Sequence, residues 1–182
     1  MQSCILKYKK EKGKIVYSNG DIYEGELIFG MKHGYGKLIE FDGIIYSGEF
    51  MFDKKEGEGK TENTNCKCRF FGLFKDNEKA GFGRRISCLG DVIDGDYIND
   101  EITFGTIYFV NGNRYFGQIE SLRANGEGEM YIRETKITET GIWNHGEKAS
   151  VNKSNSRRMN LHDPEADVMN SFKNGTSDNF GY

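Results

Sequence analysis

The chain is 182 residues long, enough for one domain, with a net charge of −3 and a pI of about 5.7. A general nucleic-acid binder is usually basic, so that class falls away. Twenty-four glycines beside a single proline, Pro164, with no three-residue period, exclude collagen. No run of about 18 apolar residues offers a membrane-spanning helix.

Residues 1–12 set Ile5, Leu6 and Tyr8 among Lys7, Lys9, Lys10 and Lys12. They read as an edge strand whose lysines discourage edge-to-edge pairing. The same four lysines form a small basic patch that would suit an acidic lipid surface. The opening MQSCILKYKK has no signal-peptide apolar region, and Gln2 stands where N-myristoylation requires Gly. The four cysteines are accordingly read as reduced thiols of a cytoplasmic protein.

From Gly13 to Gly20 runs the second half of an incomplete leading unit, and at Tyr23 a full unit begins, YEGELIFGMKHGYGKLIEFDG. Its opening, aromatic-x-Gly, returns at Tyr46-Ser47-Gly48, Phe70-Phe71-Gly72 and Tyr115-Phe116-Gly117, and more weakly at Ile93-Asp94-Gly95 and Glu139-Thr140-Gly141. The marker glycines 25, 48, 72, 95, 117 and 141 are separated by 23, 24, 23, 22 and 24 residues. A fixed period of this size is the signature of a repeat array. Two residues past each marker stands an apolar residue: Leu27, Phe50, Phe74, Tyr97, Ile119 and Trp143. A later Gly-x-Gly recurs at Gly34/Gly36, Gly57/Gly59, Gly81/Gly83 and Gly126/Gly128; in the fourth unit only Gly105 remains, out of phase by one residue.

Side chains alternate along a strand, so the aromatic, the glycine and the apolar residue share one face, while Glu24 and Glu26 point the other way. A strand glycine costs about 0.5–1 kcal/mol relative to Ala. A cost met in every unit implies a steric need, namely aromatic rings lying across a bare backbone. The Gly-x-Gly opens a second strand, Gly36 to Phe41, and Asp42-Gly43 closes it with a turn dipeptide. Each unit is then a hairpin, marginal alone and stable only when stacked on its neighbours. The predicted fold is all-β: an elongated, single curved antiparallel sheet of stacked hairpins over residues 13–146, roughly 50–60 Å long at two strands per unit. Strands of an outer-membrane barrel need about 9–11 residues, and the strands expected here are shorter.

Nothing along the array reads as a catalytic, cofactor or metal site. Cys66-Lys67-Cys68 with Cys88 is one tight thiol pair where structural zinc wants two. His33 lacks a base partner or nucleophile and is expected to hydrogen-bond its turn. Gly81-Phe82-Gly83-Arg84-Arg85 lacks the third glycine of a dinucleotide fingerprint, and its arginines read as a solvated strand. After Gly146 the composition turns polar, and 147–162 reads as a linker. Asp163-Pro164-Glu165 is a helix start, giving a short helix over 163–173 that caps the array or docks elsewhere. Residues 174–182 are expected to be disordered.

The unit resembles the MORN (membrane occupation and recognition nexus) repeat, whose pattern is approximately YxGxWxxGxxHGxGxxxxxDG. Tyr23, Gly25, Gly30, His33-Gly34, Gly36 and Asp42-Gly43 match it, and the resemblance covers roughly residues 13–146. Later units depart: Ile93 replaces the aromatic, and Glu56, Ala80, Thr103 and Asn125 stand where His is usual. The resemblance implies a non-enzymatic scaffold in a cytoskeletal or membrane-associated assembly, with dimers through the repeats in some relatives. The candidate partner face is the ring line Tyr23, Phe50, Phe74, Tyr97, Tyr115 and Trp143, suited to a partner helix or extended peptide. Two alternatives stand beside it: a peripheral phosphoinositide or acidic-lipid module using Lys7, Lys9, Lys10 and Lys12, and an accessory targeting subunit of a lipid kinase or methyltransferase. Only about 35 residues follow the array, too few for a catalytic domain.

Overall fold

The computed structural model describes residues 9–151. They form β1 (Glu11–Val16), β2 (Ile22–Ile28), β3 (Met31–Ile39), β4 (Ile44–Met51), β5 (Lys54–Asn63), β6 (Arg69–Lys75) and β7 (Glu78–Ile86). The sheet continues with β8 (Val92–Ile98), β9 (Glu101–Tyr108), β10 (Arg114–Glu120), β11 (Arg123–Ile132), β12 (Ile137–Asn144) and β13 (Glu147–Val151). Spatial order equals chain order, so every connection joins antiparallel neighbours. Among the described residues β1 and β13 each have one neighbour, so the sheet is open.

The marker glycines and the second glycines fall into one line. Gly13, Gly25, Gly36, Gly48, Gly59, Gly72, Gly83, Gly95, Gly105, Gly117, Gly128 and Gly141 are directly opposite one another on successive strands. Rings lie over this line. A Cβ at Gly59 would sit 2.6–2.7 Å from the Tyr46 ring atoms and hydroxyl, and one at Gly83 would sit 2.5 Å from the Phe70 ring. The phenol tips find backbone partners beyond the glycine. Tyr23 donates to the Glu26 carbonyl at 2.7 Å, Tyr46 to Glu49 at 2.8 Å and Tyr115 to Gln118 at 2.8 Å.

The ring of one unit then meets the apolar residue of the next edge-on. Tyr23–Phe50, Phe50–Tyr46, Tyr46–Phe74, Phe74–Phe70 and Phe70–Tyr97 form an unbroken zigzag with centroids 5.0–5.5 Å apart. Each such pair adds about 0.5–1.5 kcal/mol beyond its buried area. The chain of rings breaks after Tyr97, because Ile93 and Ile119 carry no ring, and resumes with Tyr115–Trp143 at 5.6 Å. Lysine stems roof the rings, with ammonium groups 5.3 Å from the Tyr46 centroid (Lys55) and 5.5 Å from that of Phe70 (Lys79). Lys55 is held by Glu40 at 2.6 Å and Lys79 by Asp100 at 2.7 Å.

The two-residue tips of the hairpins clasp the preceding unit. Phe52 and Asp53 both have positive φ, 47° and 70°, which matches the turn to the twist of its strands. Strain at these non-glycine positions is offset by two bonds. The Asp53 N–H donates to the Lys32 carbonyl and the Asp53 carboxylate accepts the Lys32 N–H, both at 2.9 Å. Asn77 repeats this on Lys55, and Asp100 on Lys79. At the opposite sheet edge the Asp21 carboxylate accepts from Phe41 N–H, and that of Asp91 from Val110 N–H, both at 2.9 Å.

Several expectations need correcting. The second strand of the first full unit begins at Met31, before the Gly-x-Gly rather than at it. Between Gly25↔Gly36 and Leu27↔Lys32 that strand carries two extra residues, a bulge built on Gly34 at φ 72°. In the fourth unit the insertion is one residue, between Asp96↔Phe104 and Tyr97↔Ile102, so Gly105 looks out of phase in sequence yet stands in the glycine line. The bulge lengthens the second strands to nine or ten residues in β3, β5, β7 and β11, so strand length does not argue against a barrel; the open order does. The sheet also runs past Gly146 through β13, into residues read as linker. Residues 1–8, the expected helix 163–173 and the tail 174–182 lie outside the described residues.

Two measurements test this packing. Gly59→Ala should cost about 2–3 kcal/mol in urea unfolding, because Tyr46 is fixed by its carbonyl bond and two neighbouring rings. Gly30→Ala, with open space around its Cβ and only its φ of 77° to strain, should cost about 1 kcal/mol. The second test is alkaline titration. Burial pushes the hydroxyls of Tyr23, Tyr97 and Tyr115 up to about 12, and that of Tyr46 upward as well. Unfolded phenols ionise near pH ~10, so above that the unfolded chain sheds protons the native one keeps. Stability should hold below about pH 10 and fall as pH rises towards 12, with late phenolate absorbance following unfolding.

Candidate functional site

The sheet has two unlike faces, set by alternation along each strand. The ring face carries the residues singled out from sequence. All six are core: Tyr23 and Tyr115 are 0% exposed, Tyr97 2%, Phe50 3%, Phe74 4% and Trp143 6%. They nest edge-on against one another or against Tyr46 and Phe70, so in the isolated chain they form the packing layer. Trp143 also donates its indole N–H to the Gly128 carbonyl at 3.3 Å.

Where the ring zigzag breaks, the ring face opens. A cleft of about 580 Å³ lies over β7–β11, with Arg85, Tyr97, Ile102, Ile119 and Glu120 among its walls. The roof position taken by Lys32, Lys55, Lys79 and Lys148 in other units is Ile102 and Ala124 here, opposite Tyr97 and Ile119 respectively.

The outer face changes character along the array. Over the first two full units it is charged. Lys14, Glu24, Lys37, Ser47 and Lys60 stand opposite one another in one row, and Glu26, Tyr35, Glu49 and Glu58 occupy the neighbouring row. From β6 to β10 it is aromatic. Leu73 is 42% exposed, Phe82 46%, Phe104 47% and Phe116 49%. Phe104 meets Phe116 edge-on at 5.0 Å. Phe71, Arg84, Asp94, Thr106 and Phe116 form the central row, with Phe82, Asp96, Phe104 and Gln118 beside it.

Within that patch Arg84 grips Asp94 with two hydrogen bonds, Nε–Oδ1 at 2.7 Å and Nη2–Oδ2 at 2.6 Å. Asp94 is the buried charged residue among the described residues, 7% exposed. Its carboxylate raises the Arg84 guanidinium above its ordinary value. The sequence suggests a solvated strand at Arg84-Arg85. Instead Arg84 is locked into the outer face, and Arg85, one residue on, lines the cleft on the ring face.

Other expected residues are placed as follows. Lys9 pairs with Glu11 at 3.3 Å, and Lys10 with Glu26 at 2.8 Å, which holds the Glu26 carboxyl below its usual range. Lys12 lies on β1, exposed, and Lys7 lies outside the described residues. The His33 ring packs edge-on against Phe52 at 4.9 Å, and its Nδ1 is buried with no hydrogen-bond partner among the described residues. Cys66 Sγ accepts from the Cys68 N–H at 3.4 Å, and contact with Cys68 lowers the Cys66 thiol while raising that of Cys68.

These features define a single-layer β-repeat protein with one packed face and one displayed face. The MORN repeat family model matches residues 23–43 and 46–65, so the chain carries MORN repeats. No curated protein matches the chain. Its fold is similar to the TCP domain of SAS-4 (dCPAP) of Drosophila melanogaster, solved in complex with a proline-rich motif of Ana2 (dSTIL). That likeness has 12% identity, covers 78% of this chain and 82% of that one, and has a TM-score of 0.48. The TCP10c domain of Drosophila melanogaster Sas-4 is also similar, at 13% identity over 74% of this chain and 86% of that one, with a TM-score of 0.42.

The outer patch was missed because its residues occupy non-repeating slots of the unit. A signal was present. The slot before the marker glycine is Phe71 and Phe116 in units three and five against Glu24, Ser47, Asp94 and Thr140 elsewhere. Removing one partner of the Arg84–Asp94 pair strands a buried charge. Arg84→Met should therefore destabilise the fold by about 3 kcal/mol in urea unfolding, and Arg84→Met with Asp94→Leu by distinctly less.

Proposed function

We propose that this protein is a non-enzymatic adaptor that holds protein partners on the outer face of its sheet, between β6 and β10. The observation that carries this reading is the exposed cluster of Leu73, Phe82, Phe104 and Phe116 around the Arg84–Asp94 pair. Aromatic and Arg side chains dominate the energetics of protein interfaces. An exposed apolar cluster on a rigid sheet, rimmed by charge, marks an interaction site rather than a random surface. The packed ring face fits the same purpose. It stiffens the platform from behind, so little ordering entropy is lost when a partner docks. The MORN repeats fit a scaffold within a cytoskeletal or membrane-associated assembly, with the repeats displaying a surface and performing no chemistry.

Affinity purification from the native cells tests this, comparing the tagged protein with its Phe82→Ser/Phe104→Ser variant, alongside photo-crosslinkers at positions 116 and 24. Partners crosslinked from position 116 and lost in the variant, at unchanged melting temperature, are the expected result. An identical partner set from the variant, with no adduct at position 116, would remove the outer patch from consideration.

A further inference from the structure

Three departures from the repeat converge on the ring-face cleft. The first is Arg85. Two residues past the second glycine of a unit stand Leu38, Thr61, Arg85, Ile107 and Met130, and Arg85 is the charged member of that set. The second is Tyr97. The position two residues past each marker glycine is otherwise Leu27, Phe50, Phe74, Ile119 and Trp143, none with a hydroxyl. The third is the missing roof, Ile102 and Ala124 in place of lysine. The hydroxyls of Tyr23, Tyr46 and Tyr115 all reach carbonyls. The Tyr97 hydroxyl and the Arg85 Nε are instead buried with no hydrogen-bond partner among the described residues, and both residues line the cleft. Leaving two buried donors unmet is costly, more so when one is charged. Both residues line one recess whose volume, about 580 Å³, is in the range of ligand sites.

We propose that this cleft is a second binding site, which takes a single carboxylate from an extended peptide of a protein partner. Arg85 supplies the positive charge and a fork of N–H groups, and Tyr97 a phenolic O–H, so the complementary group is an anionic oxygen pair. The rim narrows the choice further. Glu101 and Glu120 stand at the mouth, while the Lys79 ammonium is held by Asp100 at 2.7 Å. An acidic mouth over a basic floor repels phosphate-rich polyanions and anionic membrane surfaces. It favours a carboxylate flanked by lysine or arginine, whose cations meet the two glutamates. This proposal rests on the protein-binding reading but uses the opposite face, so the fate of the outer patch does not decide it.

The test is an amide and Arg Nε–H NMR titration of the full chain with synthetic nonapeptides. One carries a central Glu between two lysines, a second has Gln in place of that Glu, and both are amidated at the C-terminus. A third is the Gln peptide with a free C-terminal carboxylate, which distinguishes a side-chain from a terminal source. The expected result is saturable shifts at Arg85 and Tyr97 with a carboxylate-bearing peptide and none with the amidated Gln peptide. Arg85→Gln should weaken binding about tenfold or more. Tyr97→Phe should weaken binding while raising the melting temperature of the free protein, since it deletes an unmet donor; a purely structural tyrosine would not show that opposition. Equal binding of the Glu and amidated Gln peptides, absence of saturable binding by either carboxylate peptide, or full affinity in Arg85→Gln would overturn the proposal.

Discussion

A ring lying flat on a strand that has no side chain is the contact on which this molecule depends. Tyr46 can cover Gly59 only because no Cβ intervenes, and its hydroxyl reaches the Glu49 carbonyl only because the ring lies that close. Once seated, the ring offers its edge to Phe50 and Phe74, which belong to its own unit and the next. The same contact thus fixes a strand pair locally and ties one hairpin to its neighbour. The described residues form one sheet with no second layer among them, so it needs cohesion of this lateral kind. The glycine line crosses twelve strands, from Gly13 to Gly141, and rings of Tyr23, Tyr46, Phe70 and Tyr115 lie over its glycines in four of the units.

The rest of the architecture follows from protecting that layer. Lysine stems lie over the rings and place their ammonium groups near carboxylates at the margin, as Lys55 does with Glu40. Turn residues with positive φ are held by bonds to the unit before, as Asp53 is to Lys32. A sheet secured in this manner is free to vary on its other face. It does so abruptly: paired charges over the early units give way to Phe82, Phe104 and Phe116 over the later ones. The ring face varies in one place, where Ile93 and Ile119 interrupt the rings and the cleft opens. Divergence in both faces falls on the same middle and late units, beyond the two that match the MORN family model.

Much of the fold was legible in the sequence. The aromatic-x-Gly recurrence gave the hairpins and their stacking, because alternation along a strand is a property of the backbone itself, but it ended the array one strand early: β13 completes a sixth hairpin. The six ring positions were legible as one line on one face. Their burial was not, since what covers Tyr46 comes from Phe74 and Lys55, brought over it by strand pairing. Gly105 misled for a related reason. A bulge one residue shorter moves a glycine in sequence while leaving it in place on the sheet. The outer patch was visible only as aromatics in slots that are polar in other units, a weak signal without knowing that β6 to β10 lie side by side.

By itself the sequence determined the period, the bare-backbone line and the all-β stacking, since each is a local consequence of spacing and side-chain size. The tertiary structure decided which rings are covered, where the cleft opens, and that Arg84 meets Asp94 on the adjacent strand while Arg85 faces the other way. Those outcomes depend on register. Register is set by bulge length and turn geometry, which bring together residues ten to thirty positions apart that no local pattern pairs.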